Sequence, residues 1–314
     1  MEYGAHLPLI AFEREPTLRD AKAYAQAAAS LGYRWLSAND HLVYPRPWLD
    51  GLTALAAVIE ESGDLTLATT VSLPVVRGPA PLAKSLAALD LLSGGRVVAG
   101  LGPGSSARDY AAVGVPFEER WRRFDEAVQA VRALLGGAPA YDGRFYAARE
   151  AFPEAVVGSS RRVPIWVATW GSPAGFRRAA RYGDGWVASA YNTSPDRFEA
   201  ALGRLRDLLE ADGRSPDAFG NVLATTWLHV TDDRVRAERI LGDVLSPMLR
   251  RPVEELRALA LPIGPPEECA ERLAAYTRAG VQRVLLWPIH DEVRQLQLFQ
   301  ERVAPLVAAA SAGA

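Results

Sequence analysis

The chain has 314 residues, of which 49% are apolar and 23% are charged, and its formal net charge at pH 7 is −2. This balance lacks the basic excess of a nucleic-acid-binding protein, and no run of eighteen uncharged apolar residues offers a membrane span. A single cysteine, Cys269, excludes an internal disulfide, and no basic segment followed by a long apolar one opens the chain. We therefore expect a soluble, cytoplasmic protein without a nucleic-acid or membrane partner.

Short apolar runs alternate with helical patterns along the whole chain, which is typical of repeated strand–helix units. In the first helix, Thr17 and Asp20 predict a capping box and Gly32 predicts the end. Strands are predicted at 4–7, 35–38, 66–71, 97–100, 165–169, 185–189, 223–230 and 283–287. Helices are predicted at 17–31, 52–61, 81–92, 118–135, 173–182, 195–211, 267–279 and 291–307.

Eight strands with intervening helices predict a closed (β/α)8 TIM barrel, with residues 1–314 forming a single domain. An open doubly wound parallel sheet is the alternative. Two stretches, 138–163 and 232–262, are longer than a connection requires. They predict insertions after the fourth and seventh βα units, placed to cover a cleft. The aromatic and glycine content of the first favours a hairpin or an extended loop.

Polar and glycine residues follow several of the predicted strands, where a parallel barrel places its active site. Asp40 and His41 follow the second strand, and Thr70 and Val71 end the third. A glycine-rich loop follows the fourth strand, with Gly102, Gly104, Ser105, Ser106 and Asp109. The fifth strand runs into Thr169, Trp170, Gly171 and Ser172.

Two of these groups suggest chemistry, and each also has an ordinary structural explanation. His41 can exchange a proton near neutral pH, with the Asp40 carboxylate orienting or charging it, but it can equally cap the strand–loop junction. The glycine loop exposes backbone N–H groups that suit a phosphate, although tight turns use glycine for backbone reasons alone. Likewise, Asp109 suits the start of a helix, and Trp170 suits simple packing.

Other common chemistries lack their sequence patterns. The four histidines include no His-x-His pair, so we expect no metal site. The loop reads GPGSSA, which lacks the closing glycine of a serine-hydrolase elbow and the third glycine of a dinucleotide-binding fingerprint.

Several segments together resemble the luciferase-like monooxygenase superfamily, in the branch of coenzyme F-420-dependent oxidoreductases. The segments are YGAHLP, LGYRWLSANDHLVYP (31–45), LTLATTVSLPVVRGPAPLAKSLAALDLLSGGRVVAGLGPG (65–104) and VPIWVATWGSPAGFRRAARYGDGW (163–186). The resemblance implies a barrel that binds its coenzyme at the C-terminal ends of the strands, and a homodimer as in many relatives.

The resemblance also assigns roles to individual residues. It implies that Asp40 and His41 lie beside the reactive ring, with the histidine exchanging a proton near the site of hydride transfer. The Thr70–Val71 position is where many members have a non-proline cis peptide. Phosphate contacts are implied at 102–106 and 169–172, and Asp109 stands where relatives usually carry an acid.

Two departures from the family pattern narrow the expected function. Relatives often have a Gly-Gly pair where this chain has Ala168–Thr169 before Trp170. No cluster of lysines or arginines marks the strand ends, so we do not expect a sugar-phosphate dehydrogenase. We expect hydride transfer between F-420 and a small organic substrate. The substrate determinants are expected in the two insertions and at Trp48, Tyr191, Trp227 and Trp287.

Two alternatives remain open. One is an FMN-dependent monooxygenase that uses O2 and receives reduced flavin from a partner reductase. The other is a coenzyme-binding protein without turnover, since a fold does not guarantee a function.

Overall fold

The computed structural model describes residues 1–12, 14–138, 140–148 and 162–312. Its parallel strands close into a barrel in the order β1-β2-β3-β4-β7-β8-β9-β11, with β11 pairing with β1. The predicted barrel is thus confirmed, and the open-sheet alternative is wrong because β8 pairs with β9. The barrel strands are β1 Glu2–His6, β2 Trp35–Ala38, β3 Thr66–Thr69, β4 Val97–Leu101, β7 Ile165–Ala168, β8 Gly185–Ser189, β9 Gly220–Val230 and β11 Arg283–Pro288.

Helices surround the barrel, and a side-chain cap begins several of them. The Thr17–Asp20 capping box is present at the start of the first helix, and the side chains of Ser172 and Ser194 cap two later ones. The helices are α1 Leu18–Ser30, α2 Gly51–Ala57, α3 Pro74–Arg77, α4 Pro79–Leu92, α5 Ala107–Ala112, α6 Arg120–Leu135, α7 Pro173–Tyr182, α8 Pro195–Ala211, α9 Arg234–Arg239, α10 Ser246–Leu249, α11 Val253–Ala258, α12 Pro266–Arg278, α13 Glu292–Leu298 and α14 Ala304–Ala312. No helix in the described ranges is long and apolar enough to cross a membrane.

Several predicted bounds differ from the structure, including those of the third strand and of two helices. The predicted third strand continued to Val71, but β3 ends at Thr69 because Val71 leaves the ladder, and the N–H of Ser72 resumes pairing with the carbonyl of Gly100 at 2.9 Å. The predicted helix 52–61 ends at Ala57, where turns take over. The predicted helix 291–307 is divided by a π-helical turn at Phe299–Val303.

Both predicted insertions lie on the connections that follow barrel strands. The first contains the hairpin β5 Tyr141–Asp142 and β6 Ala147–Ala148, and its residues 149–161 lie outside the described residues. The second lies between β9 and α12, and therefore within the seventh βα unit. It holds α9, α10 and α11 and ends in the short strand β10 Ile263–Gly264, which pairs with β9.

Large side chains close the N-terminal end of the barrel. The rings of Trp35 and Trp166 lie 5.6 Å apart, and the Arg283 guanidinium lies over both. Glycine at 185 is required here, because a Cβ would lie 2.5 Å from the Trp166 ring. With this end filled, a ligand can enter the barrel only from the C-terminal end.

Candidate functional site

A cavity of about 400 Å³ opens at the C-terminal end of the barrel. Its walls come from the ends of β2, β3, β4, β7, β8 and β9, as expected for a parallel barrel. Most of the predicted site residues line it: Asp40, His41, Thr70, Val71, Gly102, Gly104, Ser105, Thr169, Trp170 and Ser172. Sequence reasoning thus brought together residues that the fold places around one space.

Three predicted residues stand outside this lining. Ser106 caps α5, where its side chain accepts a hydrogen bond from the N–H of Asp109. Gly171 has a φ of +99° and lines a second cavity on the far side of Trp170. The Asp109 side chain is buried, and it lies behind His41. Direct contact of these three with a coenzyme stays a prediction.

The buried Asp109 carboxylate holds His41 and the loop that carries it. Oδ2 lies 2.9 Å from Nδ1 of His41, and Oδ1 accepts the N–H groups of Leu42 at 3.1 Å and Val43 at 2.7 Å. A carboxylate can only accept here, so Nδ1 carries the proton and Nε2 is the ring nitrogen available to a ligand. The loop after β2 and the helix after β4 therefore form one polar unit.

Asp40 does not orient His41, and that part of the prediction is wrong. The Asp40 carboxylate is bound by Arg77, with Nε 2.5 Å from Oδ2 and Nη2 2.7 Å from Oδ1. Arg77 also contacts Asp50, and the two acids together raise the pKa of its guanidinium. The histidine and the aspartate are adjacent in the chain but take different partners.

The floor of the cavity is formed by the chain after β3. The Thr70–Val71 peptide is cis, and the Thr70 hydroxyl is buried without a hydrogen-bond partner in the described part of the chain. Gly102 faces this floor at close range, because a Cβ there would lie 2.6 Å from Cγ2 of Val71. The walls alongside it are small residues, Ala168, Ala188 and Ala224. A cavity with small residues on its walls and an unsatisfied hydroxyl on its floor fits a planar ring with polar edges.

Aromatic and cationic side chains at the cavity mouth were largely missed from the sequence. Arg120 lies 4.1 Å above the Phe117 ring and 5.4 Å from that of Trp121, and all three line the cavity. The spacing in α6 places Trp121 on the same face as the buried Phe124, yet Trp121 is only partly buried. Its position in the first turn of α6, ahead of the buried Phe124, was the available signal.

The wall formed by β9 contains an irregularity that the sequence did not indicate. Thr225 has a φ of 56°, and the pairing of β9 with β11 shifts register there. This β-bulge places Thr225 on the cavity wall, where its hydroxyl lies 3.1 Å from that of Ser189.

Of the four aromatic residues expected to shape substrate binding, only Tyr191 lines the main cavity. Trp227 and Trp287 are buried and stack on each other, with centroids 4.1 Å apart. His6 stacks on the other face of Trp287 at 3.7 Å, and its burial lowers its pKa to about 3. Trp48 lies between this stack and His41, and its ring packs edge-on against the rings of Trp287 and His41. We call these four residues (His6, Trp48, Trp227 and Trp287) the aromatic plug.

The chain belongs to the luciferase-like monooxygenase family, whose family model matches residues 5–283. It is 32% identical over 226 residues to the F-420-dependent hydroxymycolic acid dehydrogenase of Mycobacterium tuberculosis, covering 68% of this chain and 60% of that protein. The F-420-dependent glucose-6-phosphate dehydrogenase of Kribbella flavida is 28% identical, covering 92% of this chain and 94% of the relative.

Solved structures of low sequence identity share the fold. The monooxygenase RslO1 of Streptomyces bottropensis superposes with a TM-score of 0.82 at 23% identity, covering 97% of this chain and 99% of the other. An F-420-dependent secondary alcohol dehydrogenase, solved with an F-420–acetone adduct, has the same TM-score at 19% identity and 98% coverage of both chains. The predicted luciferase-like barrel is therefore confirmed.

Proposed function

We propose that this protein is an oxidoreductase that transfers a hydride between coenzyme F-420 and a small organic substrate. The observation that carries the proposal is the His41 imidazole, held by a buried carboxylate at the wall of a cavity that suits a planar ring. The F-420-dependent names of two relatives support this choice of coenzyme. Turnover separates this function from that of a coenzyme-binding protein without activity.

The chain's own residues would bind and orient the coenzyme. When bound, F-420 supplies the hydride-accepting or hydride-donating carbon. Val71 and Gly102 would support the ring, and the free Thr70 hydroxyl would bond to a polar edge of it. We assign the phosphate contacts to Gly104, Ser105 and Ser172, and the Arg120 guanidinium would add a positive charge on the cavity wall.

His41 would move the proton that accompanies the hydride. In the oxidation of an alcohol, Nε2 would accept the hydroxyl proton, and the bound coenzyme would supply the acceptor for the carbon-bound hydrogen as hydride. In the reverse direction Nε2–H returns the proton to the carbonyl oxygen. Asp109 stabilises the imidazolium formed in the first case, because its carboxylate lies against Nδ1. Asp40 also lines the cavity, and its carboxylate, held by Arg77, would contact the ring of the coenzyme.

The second candidate is an FMN-dependent monooxygenase, which the family description and the equally similar monooxygenase fold favour. It would need O2 and a partner flavin reductase. The two candidates differ in coenzyme and in the need for oxygen, so they can be separated directly.

Titration of the protein with F-420 and with FMN, followed by coenzyme fluorescence, tests the proposal. We expect micromolar or tighter binding of F-420, weaker binding of FMN, and turnover without oxygen. Preferential FMN binding with substrate-dependent O2 consumption would establish the second candidate instead. Binding of neither coenzyme would overturn both.

Three further expectations accompany this function. We propose that residues 1–314 form one domain, that two copies form a homodimer, and that the protein works in the bacterial cytoplasm. Sedimentation velocity tests the dimer, and cell fractionation tests the location.

A further inference from the structure

The wall of the main cavity that β8 and β9 form has no part in the proposed binding of the coenzyme. The contacts assigned to the coenzyme come from residues that follow β2, β3, β4 and β7, and the reacting group His41 follows β2. In the closed order of the strands, β8 stands four strands from β2, on the opposite side of the barrel. A substrate that reacts beside His41 and reaches this wall must therefore cross the cavity.

Thr225 reaches this wall because of the β-bulge in β9. Side chains alternate between the two faces of a regular strand, so a residue that follows the cavity-lining Ala224 would ordinarily point away. With a φ of 56°, a strained value for a β-branched residue, Thr225 lines the cavity as well. Within Asn221–Val230 it is the one residue that is not buried. The bulge thus aims an additional hydroxyl into the cavity.

The hydroxyls of Thr225 and Ser189 form a pair with unused hydrogen-bonding capacity. They lie 3.1 Å apart, and either can be the donor. Two hydroxyls carry two hydrogens and four lone pairs, and the bond between them uses one of each. The pair can therefore both donate to and accept from a ligand oxygen. This capacity suits a second hydroxyl group or a carbonyl oxygen.

No charged side chain stands on this wall. Its lining residues are Val187, Ala188, Ser189, Tyr191, Ala224 and Thr225. Burial raises the pKa of Tyr191, so its hydroxyl stays protonated. Arg251 lies outside the lining, where Nη1 donates to the carbonyl of Tyr191 at 2.6 Å and Nη2 to Oδ1 of Asn192 at 2.7 Å. A carboxylate or phosphate would find no counter-charge on this wall, and burial of an unpaired charge is costly.

We propose that Thr225 and Ser189 are a second anchor for the substrate, which is a neutral molecule with two oxygen functions. One oxygen reacts at His41, and the other hydrogen-bonds to the hydroxyl pair across the cavity. This inference rests on the proposed function, because it assigns to the substrate the part of the cavity that the coenzyme leaves. Thr225 and Ser189 thus determine specificity and take no part in the proton transfer.

Oxidation of straight-chain alcohols by the protein with F-420 tests the anchor. At each length from four to eight carbons, the monoalcohol is compared with the terminal diol and with the hydroxy acid. At the length that spans the cavity, we expect kcat/KM of the diol to exceed that of the monoalcohol about tenfold, after allowance for its two equivalent ends. The hydroxy acid should react more slowly than the diol, because its carboxylate meets a neutral wall.

Thr225→Val removes the hydroxyl and keeps the branched shape, so the advantage of the diol should disappear while oxidation of the monoalcohol is unchanged. Thr226→Val is the matched control, because Thr226 is buried, does not line the cavity and donates its hydroxyl to the carbonyl of Leu223. Ser189→Ala should abolish the same preference. Since Ser189 has no positive φ, this variant tests the anchor even where Thr225→Val fails to fold.

The F-420 affinity of both cavity variants should equal that of wild type. An equal diol preference in wild type and variants would overturn the anchor, and so would a wild-type preference for the hydroxy acid. A loss of F-420 affinity in Thr225→Val would also overturn it, because the pair would then contact the coenzyme. Binding of F-420 without oxidation of any diol would overturn the anchor alone, whereas failure to bind F-420 would overturn the proposed function.

Discussion

The two halves of the barrel's C-terminal end differ in what their strands present. At the ends of β4, β7 and β8 small residues, Gly102, Ala168 and Ala188, surround an open cavity. At β11, β1 and β9 the aromatic plug fills the corresponding space, and His6, Trp227 and Trp287 are buried. One backbone architecture thus holds a cavity on one side and a packed core on the other. The size of the side chains at a few strand ends decides whether a cavity or a packed core forms on each side.

His41 lies at the boundary of these halves. Its Nδ1 contacts the buried carboxylate of Asp109, and its ring packs edge-on against Trp48 of the plug with centroids 4.7 Å apart. The imidazole is therefore held by a charge on one side and by a rigid aromatic surface on the other. Such fixation suits a group that must transfer a proton without reorganisation.

Removing the boundary residue should have the largest effect. His41→Ala eliminates the proton-transferring nitrogen, so we expect kcat to fall about a thousandfold with coenzyme affinity within a few-fold of wild type. Stopped-flow hydride transfer and fluorescence titration measure the two quantities. Tyr44→Phe is the control, because its ring lies 5.0 Å from His41 but no proton role is assigned to its hydroxyl. Equal turnover in wild type and His41→Ala would refute the assigned role.

Changing the charged side of the boundary should have a smaller effect. In Asp109→Asn an amide oxygen can still accept from Leu42 and Val43, but the amide nitrogen faces Nδ1 and favours the tautomer protonated at Nε2. We expect kcat to fall roughly tenfold to a hundredfold, with a shifted pH profile and nearly unchanged coenzyme affinity. If Asp109 served only to hold the loop, Asn would preserve activity and Ala alone would reduce it.

Adding a side chain at Gly102, in the open half of the barrel end, should weaken coenzyme binding. A methyl group at Gly102 would press on Cγ2 of Val71, so we expect Gly102→Ala to reduce F-420 affinity about tenfold. Gly203→Ala is the control, because nothing lies within 4 Å of the added Cβ in α8. Isothermal titration of both variants makes the comparison, and equal affinities would place the ring away from Gly102.

Burial of His6 in the aromatic plug should make the stability of the protein depend on pH. Burial lowers the pKa of His6 to about 3, whereas the unfolded chain binds the proton near the ordinary value. Between these two pKa values the unfolded state therefore binds more protons than the folded state. As the pH falls below about 6.5, the free energy of unfolding decreases by up to ~1.4 kcal/mol per pH unit.

His6→Phe keeps an aromatic ring in the stack but has no group there that titrates. Between pH 7 and pH 5 its free energy of unfolding should therefore fall by about 2 kcal/mol less than that of wild type. Urea unfolding at both pH values measures the difference. His229, whose pKa burial also lowers, is present in both proteins and cancels from the comparison. Parallel pH dependences for the two proteins would show that His6 is not buried in its neutral form.

Local patterns predicted the fold better than the site. β2, β8, α7 and α8 have the predicted bounds, because their apolar runs and Ser-Pro starts act over only a few residues. Local patterns could not identify the partner of His41, because the acid next to it in the chain is Asp40. Its partner in the structure, Asp109, lies 68 positions further along. Trp227 and Trp287 were expected at the cavity, but residues on neighbouring strands stack, and only the closed barrel shows which strands are neighbours.

The hydrogen bonds from Asp109 to Leu42 and Val43 have a consequence for amide exchange. These two residues lie in a connection without helix or strand, where backbone hydrogens ordinarily exchange with solvent quickly. Here both N–H groups end on a carboxylate that is only 1% exposed. Their hydrogens should therefore exchange as slowly as those of a helix for as long as the carboxylate stays in place. Two loop amides thus report, residue by residue, whether the imidazole next to them is held.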